Sequence, residues 1–163
     1  MSSFSLASCD LFQGLDDRQE AAVASHGRVR VVPRGAELLR AGAPAEALYV
    51  VREGSVRVSV PVTVLGRTRE LRLRHAHPGQ AVGWPVLVAP HVCSVTARAE
   101  TSAVLIAFDR EALLAVMSAD PRVECVIRRN LASVVASCLE HVQALWLREV
   151  EDEVAASARS GVP

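Results

Sequence analysis

His77-Pro78-Gly79-Gln80-Ala81-Val82-Gly83-Trp84-Pro85-Val86-Leu87-Val88-Ala89-Pro90-His91-Val92-Cys93-Ser94-Val95-Thr96-Ala97-Arg98-Ala99 is the stretch on which the reading of this chain turns. It opens with a turn at His77-Pro78-Gly79, passes through a short apolar segment between Gly83 and Pro90, and returns to a β-like alternation from Val92 to Ala99. Gly83 has no Cβ to keep a ligand off the backbone amides, and a glycine-led turn entering a short helix is a natural anion cradle. The segment therefore predicts a pocket.

Upstream, period-two apolar patterning broken by glycine predicts strands over 28–32, 37–39, 48–51 and 55–60. Pro33-Arg34-Gly35, Ala41-Gly42-Ala43-Pro44 and Glu53-Gly54 are the turns between them. A hairpin follows, with strands 62–65 and 70–74 around Gly66-Arg67-Thr68. Leu71 and Leu73 are expected on one face, and Glu70, Arg72 and Arg74 on a wet one. Pro61 cannot donate to a ladder and predicts an edge or a bulge. Many short strands with regular turns indicate a barrel or double-sheet β-roll. Ahead of the strands, Asp16 and Gln19 match a capping box for a helix through Ala21, Val23 and Ala24 that Gly27 would stop, after a short helical piece around Leu11 and Phe12.

Downstream, 104–108 reads as a last strand, and Asp109 as the cap of a short helix over 110–117 with Leu113, Leu114 and Met117 buried. Asp120-Pro121 starts a second helix, uninterrupted by glycine or proline until Gly161. Along it Ile127, Leu131, Val134, Cys138, His141 or Val142, and Leu145 repeat at steps of four and three, a seam suited to a parallel homodimer. Val123, Val126, Val135, Leu139 and Trp146 offer a second face for the chain's own β-roll. The expected organisation is a flexible N-terminus (1–9), a β-roll with flanking helices (10–119), a long helix (120–155) and a flexible tail (156–163).

The 163 residues carry 18 Lys+Arg and 18 Asp+Glu, so no global charge points to nucleic acid or an anionic membrane. Neither a signal peptide nor a spanning apolar run is present, and cytoplasmic residence is expected. Cys9, Cys93, Cys125 and Cys138 lack a C-x-x-C pair, which predicts reduced thiols, mostly in the core.

The order of these elements resembles the cyclic-nucleotide-binding domain of the Crp/Fnr family of sensor-regulators. Leu11-Phe12-Gln13-Gly14-Leu15 is similar to the family's opening turn. Gly35, Leu38, Gly42, Leu48-Tyr49-Val50-Val51, Gly54, Val56 and Val58 follow its β-roll signature. Pro78-Gly79, Gly83, Thr96-Ala97 and Ala99 resemble its phosphate-binding cassette, and Phe108-Asp109-Arg110 with the long helix completes the match over roughly 10–148. The resemblance implies an α+β fold: an antiparallel, jelly-roll-like β-roll with short N-terminal helices and a long C-terminal helix of the dimerising kind. The family's DNA-binding domain would follow that helix, and the residues after 148 are too few to build one. Direct nucleic-acid and membrane contacts are not expected; a homodimer and a protein partner for output are.

Inside the cassette the resemblance breaks. Nucleotide-binding relatives place a glutamate directly after the cassette glycine for the ribose and an arginine just before the Thr/Ser-Ala step for the cyclic phosphate. Here Trp84 takes the first position and Cys93 is assigned to the second. Cyclic AMP or cyclic GMP is then expected only through substitute contacts such as His91 or Arg98, and an apolar ligand stacked on Trp84 or a pocket filled by Trp84 are the other readings. The expected pocket residues are Val82, Gly83, Trp84, Pro85, Val86, Leu87, His91, Val92, Cys93 and Ser94. His75-x-His77 has a metal-ligand spacing but no third ligand at a cupin-like position, so no metal is expected. Spacing does not choose a haem ligand among His75, His77, His91 and Cys93, and no cofactor is assigned. No nucleophile elbow, P-loop or paired-carboxylate motif is present, which points away from an enzyme.

Overall fold

The computed structural model describes residues 4–64 and 66–160. Two four-stranded antiparallel sheets form the body, assembled from β1 (Arg28–Val32), β2 (Glu37–Leu39), β3 (Ala47–Glu53), β4 (Val56–Val64), β5 (Arg67–Ala76), β6 (Ala81–Val82), β7 (Thr96–Ala99) and β8 (Ala103–Asp109). One sheet runs β1-β8-β3-β6 and the other β2-β7-β4-β5. Their facing surfaces bury Leu48, Val50, Val56, Ala97 and Leu105 completely or nearly so. This is the expected α+β roll. Each such aliphatic side chain removed from water contributes about 1.5–3 kcal/mol, which explains why the alternation survives so many short strands.

The leading helix α1 (Asp17–Ala24) is closed by the predicted capping box, with the Gln19 amide donating to Asp16 Oδ1 (2.8 Å) and the Asp16 amide to Gln19 Oε1 (3.1 Å). Gly27 does not end it by a left-handed turn. A Cβ there would stand 2.7 Å from Ile106 Cγ2 and 3.0 Å from the Phe108 ring, so glycine is needed for close packing on β8. The earlier helical piece is a 3-10 turn at Leu6–Ser8, not at Leu11–Phe12. Far from hanging loose, this end of the chain buries Leu6, Cys9, Leu11 and Phe12, the last against Phe108 with ring centroids 5.4 Å apart.

The β4–β5 hairpin is longer than its alternation suggested. Arg67 and Thr68 belong to β5, paired with Val64 and Thr63; Leu65 lies outside the described residues. Pro61 sits on β4 beyond its pairing with β7, which ends at Ser59, so only β5 flanks the strand there. The outer part of the hairpin is exposed on both faces, Leu71 being 51% accessible. Register slips once: Val58 faces Arg74 while the adjacent Ser59 faces Arg72, leaving Leu73 as an extra residue. Past such a bulge the in-out alternation inverts. Arg74, expected on the wet side with Arg72, is instead turned to the Val58 side.

After β8, helix α2 (Arg110–Ala119) follows Asp109, which makes no capping bond and instead pairs with the guanidinium of Arg28. Helix α3 (Pro121–Ser160) starts as predicted, with Asp120 Oδ1 accepting from the Arg122 amide at 2.9 Å, and continues through 156–160, which were assigned to a tail. Residues 1–3 and 161–163 of the expected flexible ends lie outside the described residues. Val123, Ile127 and Leu131, one turn apart, are 1%, 0% and 7% accessible against the chain's own core. Ile127 and Leu131 are therefore not available as seam residues. Asn130 anchors the same face, donating from Nδ2 to the carbonyls of Leu11 (3.0 Å) and Gln13 (2.8 Å).

Candidate functional site

A cavity of about 260 Å³ lies between the roll and the long helix. Its floor comes from Val58 on β4, Leu73 and Arg74 on β5 and Val82 on β6; one wall is Gly83, Trp84 and Pro85, another Ser94 and Val95. Val135, Cys138, Leu139, His141 and Val142 of α3 close it. The walls are almost wholly apolar. Among the described residues no carboxylate lines it.

Backbone geometry makes the cassette wall. Gly83 adopts φ +95° and leads a 3-10 turn at Trp84–Leu87. A Cβ on Gly83 would lie 2.8 Å from the Ala47 carbonyl and 3.4 Å from Leu39 Cδ1. Glycine is thus required by the roll's own β3 and β2, not by the approach of a ligand. The anion cradle anticipated from the sequence is also depleted: Pro85 has no N–H, and the Val86 amide is spent on the Gly83 carbonyl at 3.1 Å. Val86 and Leu87 are core residues, 0% and 4% accessible.

The far limb of the cassette is a loop until Thr96; the expected strand from Val92 is reduced to a single bridge between Val92 and Pro44. His91, at φ 58°, braces this loop: its ring Nδ1 donates to the Val86 carbonyl (3.1 Å) and its own carbonyl accepts from Ala45 (2.7 Å). Val92 is 43% accessible and outside the cavity. Cys93 is buried with its thiol toward the Pro44 carbonyl at 3.9 Å, and burial pushes that thiol's pKa up. The residue directly before Thr96-Ala97 is Val95, and Val95 lines the cavity. Cys93, expected in the pocket, does not line the cavity. Arg98 is not a substitute contact, because its guanidinium pairs with Glu37 Oε2 at 2.6 Å.

Of the ten expected pocket residues, Val82, Gly83, Trp84, Pro85 and Ser94 come together; Val86, Leu87, His91, Val92 and Cys93 do not line the cavity. Cys138 and His141, expected at a dimer seam, also line the cavity, and the His141 ring Nε2 donates to the Leu73 carbonyl, tying α3 to β5. Val58, Leu73, Arg74, Val95, Val135, Leu139 and Val142 were missed as pocket residues. Pattern reading could have found Val95 by counting back from Thr96. It could not have found Arg74, whose inward turn depends on the bulge.

A glutamate–arginine pair that would hold a ribose and a cyclic phosphate is thus not in place. Among the described residues Arg74, on the β5 side of the cavity, is the cation that lines it, and an anion buried there without a cationic partner would be costly.

Residues 29–120 match the family described as the cyclic nucleotide-binding domain. Among curated proteins the chain is 29% identical over 126 residues to a cyclic nucleotide-gated potassium channel of Mesorhizobium japonicum, covering 77% of this chain and 32% of that protein. It spans about a third of that relative's length. Among solved structures, the N-terminal domain of a transcriptional regulator from Streptomyces coelicolor is similar at a TM-score of 0.67 and 28% identity, over 81% of this chain and 93% of that one. The catabolite activator protein of Thermus thermophilus is similar at 0.66 and 29% identity, over 91% and 63%.

Proposed function

The chain belongs to the cyclic nucleotide-binding domain family, in its Crp/Fnr-like form, and from that premise we propose that it is a non-catalytic regulatory sensor whose ligand is a small molecule with a largely apolar body rather than a cyclic nucleotide. The observation that carries this reading is the chemistry of the cavity wall: Trp84, Pro85, Val95 and the apolar residues of α3 line it, and among the described residues no carboxylate does. Its size and apolar lining suit an aromatic or alkyl body against Trp84.

The output is a surface. Leu139 and Val142 line the cavity and are still 57% and 42% accessible, and Trp146 beyond them is 66% accessible. A ligand that pushes on Leu139 and Val142 changes the face of α3 offered to a second copy or to another protein. In this reading the chain acts in the cytoplasm as an α3-linked homodimer and passes its signal to a protein partner.

Titration with cyclic AMP and cyclic GMP, followed by thermal shift and calorimetry, tests the proposal. The expected result is no saturable stabilisation by either at micromolar concentration. Saturable stabilisation by either nucleotide overturns it and makes the chain a nucleotide sensor with substitute contacts.

A further inference from the structure

Among the described residues, Arg74 is the one permanently charged side chain lining the cavity. Its position is not incidental, because the bulge at Leu73 is what turns it to the face of β5 that carries Val58. The guanidinium has five N–H donors, and among the described residues its one hydrogen bond goes from Nη2 to the Ala81 carbonyl at 3.1 Å. Among the described residues no carboxylate lies within ion-pair distance of it. Asp10 feels its charge at longer range but has turned its own Oδ1 to the Ala81 amide (3.1 Å) and the Cys9 thiol (3.3 Å). His141 does not compete for an anion either, its ring nitrogen being committed to the Leu73 carbonyl.

A half-buried guanidinium with free donors beside an apolar cavity attracts a matching acceptor, and a planar carboxylate accepts two parallel bonds from it. Ser94 supplies a further hydroxyl on the cavity rim. One cation and no second balances a monoanion. We propose that the ligand is an organic carboxylic acid, its aromatic or alkyl body held against Trp84 and α3 and its carboxylate on Arg74. This rests on the reading of the cavity as a ligand site.

The test uses 2-naphthoate and 2-naphthylmethanol, which share a ring body and differ in charge, titrated calorimetrically into the full chain and into Arg74→Met. The acid is expected to bind the natural protein at least about tenfold more tightly than the alcohol, the low end for one charge-assisted bond. In Arg74→Met the acid should fall to the affinity of the alcohol, whose own binding stays the same. Equal affinities in the natural protein, or a preference for the acid that survives Arg74→Met, overturn the assignment of Arg74 while leaving the apolar cavity standing. Absence of binding by both compounds to the natural protein overturns the cavity reading and this proposal with it. Arg74→Gln, which removes the charge and keeps a side-chain donor, provides the same comparison where Arg74→Met does not fold.

Discussion

Asp10 and Ala81, 71 positions apart in sequence, are joined by a hydrogen bond from the Ala81 amide to the Asp10 carboxylate at 3.1 Å. The Asp10 amide donates in turn to the Gly79 carbonyl at 2.9 Å, and Arg74 takes the Ala81 carbonyl. The two-residue strand β6 that leads into Gly83 is therefore held by the N-terminal segment, which α3 grips from the other side through Asn130. Helix and cassette are mechanically connected by a piece of chain that belongs to neither.

This connection is pH-dependent. Burial pushes the Asp10 carboxyl above its ordinary value of 3.8, against smaller opposing effects from its hydrogen bonds and Arg74. A carboxyl whose pKa is raised by folding contributes stability that is fully present below the unfolded pKa and is lost as pH rises through the folded one. Asp10→Asn keeps an acceptor for Ala81 and does not ionise. The melting temperature of this variant relative to the natural protein should climb as pH goes from roughly 4 to 7. A difference that stays flat over that range refutes the assignment.

Gly83→Ala should cost about 2–3 kcal/mol in urea unfolding, combining an unfavourable left-handed backbone with a Cβ placed 2.8 Å from the Ala47 carbonyl. Gly42→Ala is the control, at φ +83° with nothing within 4 Å of the added carbon, and should cost only about 1 kcal/mol. Equal losses at the two positions would mean that the cassette glycine serves backbone conformation alone.

The four thiols should separate by environment. Cys125 is exposed and Cys138 half-buried at the cavity; Cys9 is buried with its pKa pushed up to about 12, chiefly by desolvation, and Cys93 is buried and raised by the same cause. Iodoacetamide labelling followed by mass spectrometry is expected to modify Cys125 first and Cys138 more slowly, with Cys9 and Cys93 reacting only on denaturation. Early labelling of Cys93 would contradict its place behind the cassette loop.

Sedimentation of the full chain tests the proposed homodimer. Because Ile127 and Leu131 are used internally, the proposed seam falls to Val134, Cys138, His141 and Leu145, none of them buried, and to the exposed apolar residues Leu139, Val142, Trp146, Leu147 and Val154, 42–66% accessible. Trp146→Ser is expected to weaken dimerisation by about 2 kcal/mol or more, as large aromatic anchors do at interfaces. A monomeric natural chain ends this part of the reading.

The β-roll was legible before any coordinates because its signals are local. Turn glycines such as Gly35, Gly42 and Gly54 all take positive φ, and the Asp16–Gln19 capping box and the Asp120-Pro121 helix start depend on neighbours within a few residues. Such signals are carried by backbone sterics and i to i+3 hydrogen bonds, which the order of residues alone specifies.

Tertiary structure decided the rest, and the cassette shows why. His77 to Ala99 announced a pocket with a glycine cradle, but whether Gly83 opens toward a ligand or toward Ala47 depends on where β3 passes. Which of Cys93 and Val95 faces the cavity depends on a loop braced by His91. Arg74 reaches the cavity only because one unpaired residue inverts the alternation of β5, an event set by pairing with β4 and invisible to a period-two pattern. Likewise both faces of α3 were visibly apolar, and only the position of the roll determined that Ile127 and Leu131 go inward while Trp146 stays out. Contacts between distant segments select the side-chain direction, and that direction, more than residue type, defines this site.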